Sequence, residues 1–218
     1  MATNTNWQTS LRAVSEALLI VVVTVSFPAI ALPEVLGEDE SAAISSNTVA
    51  EKTVVRTYSI PNGGKFQMQI PISWRESVTT YEHPLFYTLT FFPQTGAEVK
   101  VSVNVHAPSP RTRGPQTEMS RQKLMEEFFR QTLLPYCEEK NLTSRKISGA
   151  AGAGYYFSLT DKRIKAGERI RGQYRHLTYG TYLLNGDLLD FMIEAHDEEA
   201  QVLNQVIEML KSAQKVSN

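Results

Sequence analysis

The pattern of apolar and polar positions changes period along the chain, and the changes mark out elements. From residue 53 the run TVVRTYSI is rich in β-branched residues and ends at the turn Pro61-Asn62-Gly63-Gly64. In KFQMQIP, Phe66, Met68 and Ile70 alternate with Lys65, Gln67 and Gln69, which is the period of a strand with one buried face. The two runs predict a hairpin. Pro71 closes it, and Trp74 just beyond reads as a core plug whose N–H should find a backbone partner. LFYTLTFFP (85 to 93) and EVKVSVNVHA (98 to 107) predict a second hairpin. In the latter, Val99, Val101, Val103 and Val105 point one way, and Lys100, Ser102, Asn104 and His106 the other.

After a Pro/Gly loop with two arginines (108 to 117), the period becomes helical. Apolar residues at 124, 125, 128, 129, 133, 136 and 137 form one stripe, and Pro135 should kink or end the helix. Strands return at GAGYYFSLTD. A further hairpin has arms at about 173 to 184 and 187 to 195, joined by Asn185-Gly186, since both residues tolerate positive φ. Asp197 reads as the cap of a last helix, on which Val202, Val206, Met209, Leu210 and Ala213 share a face. The predicted order is ββββ-α-βββ-α. The fold class is α+β, a mainly antiparallel sheet of about six or seven strands flanked by helices.

The first residues follow other rules. Residues 17 to 27, ALLIVVVTVSF, are uncharged; Arg12 precedes them and Pro28-Ala29-Ile30-Ala31 follows. This is the layout of a secretory signal peptide over residues 1–31, with an uncleaved anchor spanning residues 17–33 as the alternative. Residues 32–52 read as a flexible acidic leader, and residues 53–218 as a single α+β domain. The expected location is exported, periplasmic or secreted; the anchor alternative would tether the domain to the membrane, facing the periplasm. With one cysteine, Cys137, the chain has no internal disulfide. Cys137 reads as a small buried residue on the central helix rather than a reactive thiol.

These elements resemble the PsbP-like fold. The hairpin ending in GGKFQMQIPISW, the central helix, the YYFSLTD strand, the Asn185-Gly186 hairpin and the closing helix with MLKSA carry the resemblance, over about residues 53 to 215. It is nearer to small exported bacterial proteins of that fold without an assigned activity. PsbP itself is an extrinsic subunit of photosystem II that helps retain calcium and chloride, and no motif here carries its functional residues across. The resemblance implies an α-β-α sandwich and an accessory, non-enzymatic role.

Composition narrows the chemistry. A formal charge of −1 gives no electrostatic case for nucleic acid. The four histidines, at 83, 106, 176 and 196, include no pair at i, i+2 or i+4, and there is no Gly-x-Ser-x-Gly elbow. The glycines of GAAGAGYYF precede a strand where a phosphate loop needs a helix, so they read as room for close chain packing. No cofactor, metal site or catalytic residue is expected.

Charge is nonetheless segregated. Residues 161–175 carry a local surplus of +4, and residues 187–199 hold six acids and no Lys or Arg. Lys162, Arg163, Lys165, Arg169 and Arg171 are the candidate partner-binding residues, for an acidic protein or an envelope polyanion. The acidic stretch could hold a cation, although strand alternation already explains it. An exported accessory or binding protein is the leading functional expectation; an enzyme or small-ligand carrier with a pocket between sheet and helix is the alternative.

Overall fold

The computed structural model describes residues 52–61, 63–80, 86–94, 98–107, 115–197 and 200–216, apart from the side chains of Thr80, residues 115–121 and Leu124. These residues fall within one compact unit, Glu51–Asn218. The expected signal peptide, and all of the expected leader except Lys52, lie outside the described residues.

Strands β1 (Thr53–Ile60) and β2 (Gly64–Pro71) form the first expected hairpin. They do not join the main sheet. With the short β10 (Gln214–Val216) they make a separate three-stranded sheet, β1-β2-β10. A turn after Pro71, closed by Trp74 N–H donating to the Pro71 carbonyl, leads the chain out of that sheet. It continues as β3 (Arg75–Thr80), the edge of a seven-stranded antiparallel sheet of order β3-β4-β5-β9-β8-β7-β6. The other members are β4 (Phe86–Phe92), β5 (Val99–His106), β6 (Arg145–Gly149), β7 (Gly152–Thr160), β8 (His176–Leu184) and β9 (Asp187–Ala195).

Register follows the predicted alternation. Val99, Val101, Val103 and Val105 pair with Ala195, Ile193, Phe191 and Leu189, so one sheet face is apolar from β4 through β9. Against it pack the inner face of the small sheet and helix α2 (Ala200–Lys211), through Val202, Val206, Met209 and Leu210. The opposite face receives helix α1 (Pro115–Thr132), whose Phe129 meets Phe157 and Tyr179 edge-on at 5.9 and 5.2 Å. The layers are therefore helix, sheet, then helix with the small sheet.

Two local devices make this packing work. Asn185 (φ 49°) and Gly186 (φ 87°) close the β8–β9 hairpin in the left-handed region, as the pair predicts. The glycines ahead of YYF make room for Tyr182, which is fully buried. A Cβ at Gly149 or Gly152 would run into the Tyr182 side chain, and one at Gly154 into the Thr181 carbonyl. They shape a core contact.

Several expectations need correction. Helix α1 ends at Thr132, and Pro135 sits in a 3-10 turn, Leu134–Tyr136. Tyr136 and Cys137 therefore leave the helical stripe: Tyr136 is half exposed, and Cys137 pairs as an isolated bridge with Asp161. Trp74 is buried against Phe91, but its indole N–H, unlike its backbone N–H, has no acceptor among the described residues. Strands β3, β6 and β10 were not predicted. The β8 arm starts at His176 rather than about residue 173.

Candidate functional site

The segment from Asp161 to Arg175 is held by its own charges. Asp161 is buried and accepts a bidentate pair from Arg163, Nε–Oδ1 at 2.9 Å and Nη2–Oδ2 at 2.7 Å, as well as the Arg163 backbone N–H. That bonding is the main cause that raises the Arg163 pKa, so its charge is fixed. The guanidinium also lies over the Tyr136 ring, 4.8 Å from its centroid. Ile164 is buried and anchors the next turn. Arg175 ties the end of the segment back, donating to the Ile164 carbonyl and to Glu138 at 2.6 Å. Between these anchors, Glu168 accepts from the Lys165 backbone N–H.

The five predicted side chains fare differently. All are exposed. Arg163 is spent on Asp161, and Arg169 pairs with Asp197 at 2.9 Å. Lys162 donates to the Pro135 carbonyl at 2.7 Å, a bond that leaves its charge uncompensated. Lys165 and Arg171 have no carboxylate partner among the described residues.

Beside this segment lies an open trough of about 700 Å³ that the sequence did not reveal. Arg130, at the end of α1, Lys140 and Lys162 are its cations, and Leu134 and Pro135 give it an apolar wall. Two acids also line it, and both are engaged within the fold: Glu138 by Arg175, and Glu139 by the Thr160 N–H at 2.9 Å. Arg130 and Lys140 have no carboxylate partner among the described residues. The signal that could have found them was the chain reversal at Pro135, which brings residues 130–140 alongside residue 162. Cys137 also lines the trough, with Sγ donating to the Leu133 carbonyl at 3.2 Å. Burial, then the Glu139 and Asp161 charges, push its thiol up to about 12, so it stays protonated at neutral pH and is no nucleophile.

The described acids of the acidic stretch each have a basic partner. Asp187 meets Lys215 at 2.5 Å, Asp190 meets His106 at 2.8 Å, and Glu194 meets Lys100 at 2.7 Å. Asp197 has Arg169. Glu198 and Glu199, with which the helix capped by Asp197 was expected to open, fall outside the described residues. No group of three or more His, Cys, Asp or Glu stands together among the described residues. His106 lies on the predicted face of β5 yet is buried there, stacked on Phe86 at 5.6 Å. His196 is buried against Tyr174, 3.3 Å from Glu98.

A second concavity lies where the two sheets part. It is a groove of about 360 Å³ between β1 and β3, with Trp74 in its wall. It lies between two sheets, whereas the expected pocket was one between sheet and helix. No helix among the described residues is long and apolar enough to cross a membrane.

No family model matches the chain, and no curated protein does. The structure is similar to the solution structure of cyanobacterial PsbP (CyanoP) from Synechocystis sp. PCC 6803, with a TM-score of 0.45 and 12% sequence identity, over 79% of this chain and 99% of that chain. The likeness is one of fold, and no residue's role is carried across it.

Proposed function

We propose that the chain is an exported, non-catalytic accessory protein that engages an acidic macromolecule through the face formed by residues 161–175 and the adjoining trough. One observation carries this reading. On that face Asp161 and Glu138 are each paired with an internal arginine, while Arg130, Lys140, Lys162, Lys165 and Arg171 are exposed and have no carboxylate partner among the described residues. This is a positive surplus over the remaining acids Glu139 and Glu168, which bond backbone N–H groups only. A surface of this kind attracts negative charge although the chain as a whole is near neutral. The anchoring by Asp161, Ile164 and Arg175 supports the reading further, because a loop held in one shape loses less entropy on binding. Export rests on the sequence pattern of residues 1–31.

The test is affinity capture from the cell envelope with two double variants of equal charge change. K165E/R171E reverses the proposed face, and R145E/K146E reverses exposed cations on the edge strand β6. Capture of the same partner by wild type and R145E/K146E, and its loss with K165E/R171E, is the expected result. Equal capture by all three contradicts the reading. A small-ligand carrier is the second reading, favoured by the groove between β1 and β3.

A further inference from the structure

That groove has a chemistry of its own, independent of the basic face. β1 and β3 are both edge strands, one from each sheet, so the groove opens where the core shared by the two sheets ends. Apolar side chains make part of its walls: Val54 on β1, Ile70 on β2, Ile72 in the turn and Val78 on β3. Ile72 is 62% exposed and Val78 53%, which makes them two of the four large apolar side chains most open to solvent among the described residues.

Between these walls stand two opposite charges, one on each sheet. Arg56 Nε lies 4.0 Å from Glu76 Oε2, beyond hydrogen-bond reach, with the side chains 57% and 25% exposed. A pair so long and so wet contributes little and opens at little cost. Trp74, in the same wall, is 7% exposed, and its indole N–H has no acceptor among the described residues. Behind Glu76 the hydroxyls of Tyr58 and Tyr87 are pushed up, by burial first and by the Glu76 charge second, so they remain neutral neighbours.

The charge arrangement selects among ligands. A simple cation attracted to Glu76 meets Arg56, and a simple anion attracted to Arg56 meets Glu76. A molecule that carries an ammonium and a carboxylate on one carbon satisfies both by entering between them. The planar guanidinium suits the carboxylate, and Glu76 accepts from the ammonium. We propose that the groove between β1 and β3 binds a zwitterionic α-amino acid with an apolar side chain. The charged end sits between Arg56 and Glu76, and the side chain covers Ile72 and Val78. The recognised class is set by the paired charges together with the apolar wall; neither alone would distinguish it.

Calorimetric titration of the full chain with L-leucine tests this. Two analogues each lack one charge: N-acetyl-L-leucine has no ammonium, and L-leucinamide has no carboxylate. L-leucine should bind, and both analogues should bind at least about tenfold more weakly, the loss expected when one hydrogen bond to a charged group is removed. E76Q and R56Q should each weaken L-leucine by a similar factor, with unchanged circular dichroism and melting. Binding of all three ligands with equal affinity would overturn the proposal, since it would leave only an apolar slot. L-leucine binding that survives both substitutions would overturn it too, as would no heat at concentrations of about 10 mM, above the weak end of specific affinities.

Discussion

Two stretches of this chain are mirror images in sequence and opposites in structure. Residues 161–175 carry a surplus of cations, and residues 187–199 carry only acids. In the acidic stretch, four of the six acids have a basic partner drawn from a distant element: Asp187 has Lys215, Asp190 has His106, Glu194 has Lys100 and Asp197 has Arg169. In the basic stretch the partners run short. Asp161 and Glu138 use up Arg163 and Arg175, and Lys162, Lys165 and Arg171 are left without a carboxylate among the described residues. The difference comes from where each stretch lies. β9 is central in a seven-stranded sheet, where a charge loses water and must be matched across strands. The basic segment is a surface connection between β7 and β8, where water solvates an unmatched cation at little cost. A run of charge therefore predicts a charged surface only when the fold leaves it at the surface.

Substitutions should separate the two stretches by the size of their effect on stability. The largest is K215M. It leaves the Asp187 carboxylate, 1% exposed, without its cation, and should cost about 3 kcal/mol, read as a lower urea midpoint with an unchanged slope. D161A is next, at about 2 kcal/mol, because it removes the acceptor that fixes Arg163. It should also raise amide exchange in residues 161–175 while the β8–β9 hairpin stays protected. E194Q should cost about 1 kcal/mol, since Lys100 is 30% exposed and can turn to water. K165E/R171E should change thermal stability least, by no more than about 0.5 kcal/mol, because neither side chain has an internal carboxylate to lose. If that double variant proved as costly as K215M, the basic stretch would be structural like the acidic one, and the contrast would collapse.

How much of this was legible beforehand depends on whether a residue's partner is local. The alternation of Val99 to Val105, the Asn185-Gly186 turn and the face of α2 are written in a few adjacent residues, and each appears as predicted. β3 was missed because its described side chains are exposed and show no alternation, and β6 because Ile147 is its only buried position. That the first hairpin forms its own sheet depends on β10, three residues from the far end of the chain. The candidate site divides in the same way. The five cations were visible as a run. Which of them are consumed depends on Asp197 and the buried Asp161, and the trough depends on Arg130 and Lys140, brought beside Lys162 when the chain turns at Pro135. The groove residues Arg56 and Glu76 lie on strands of different sheets, and neither carried a signal.

The central claim is that acidic partners meet the face made by residues 130–140 and 161–175 and no other basic part of the surface. Backbone amide NMR during titration with poly-L-glutamate tests it most directly. The account predicts shift changes concentrated in those two segments, abolished by K165E/R171E and unaffected by R145E/K146E. Changes centred on β6, or spread evenly over every exposed Lys and Arg, would contradict it.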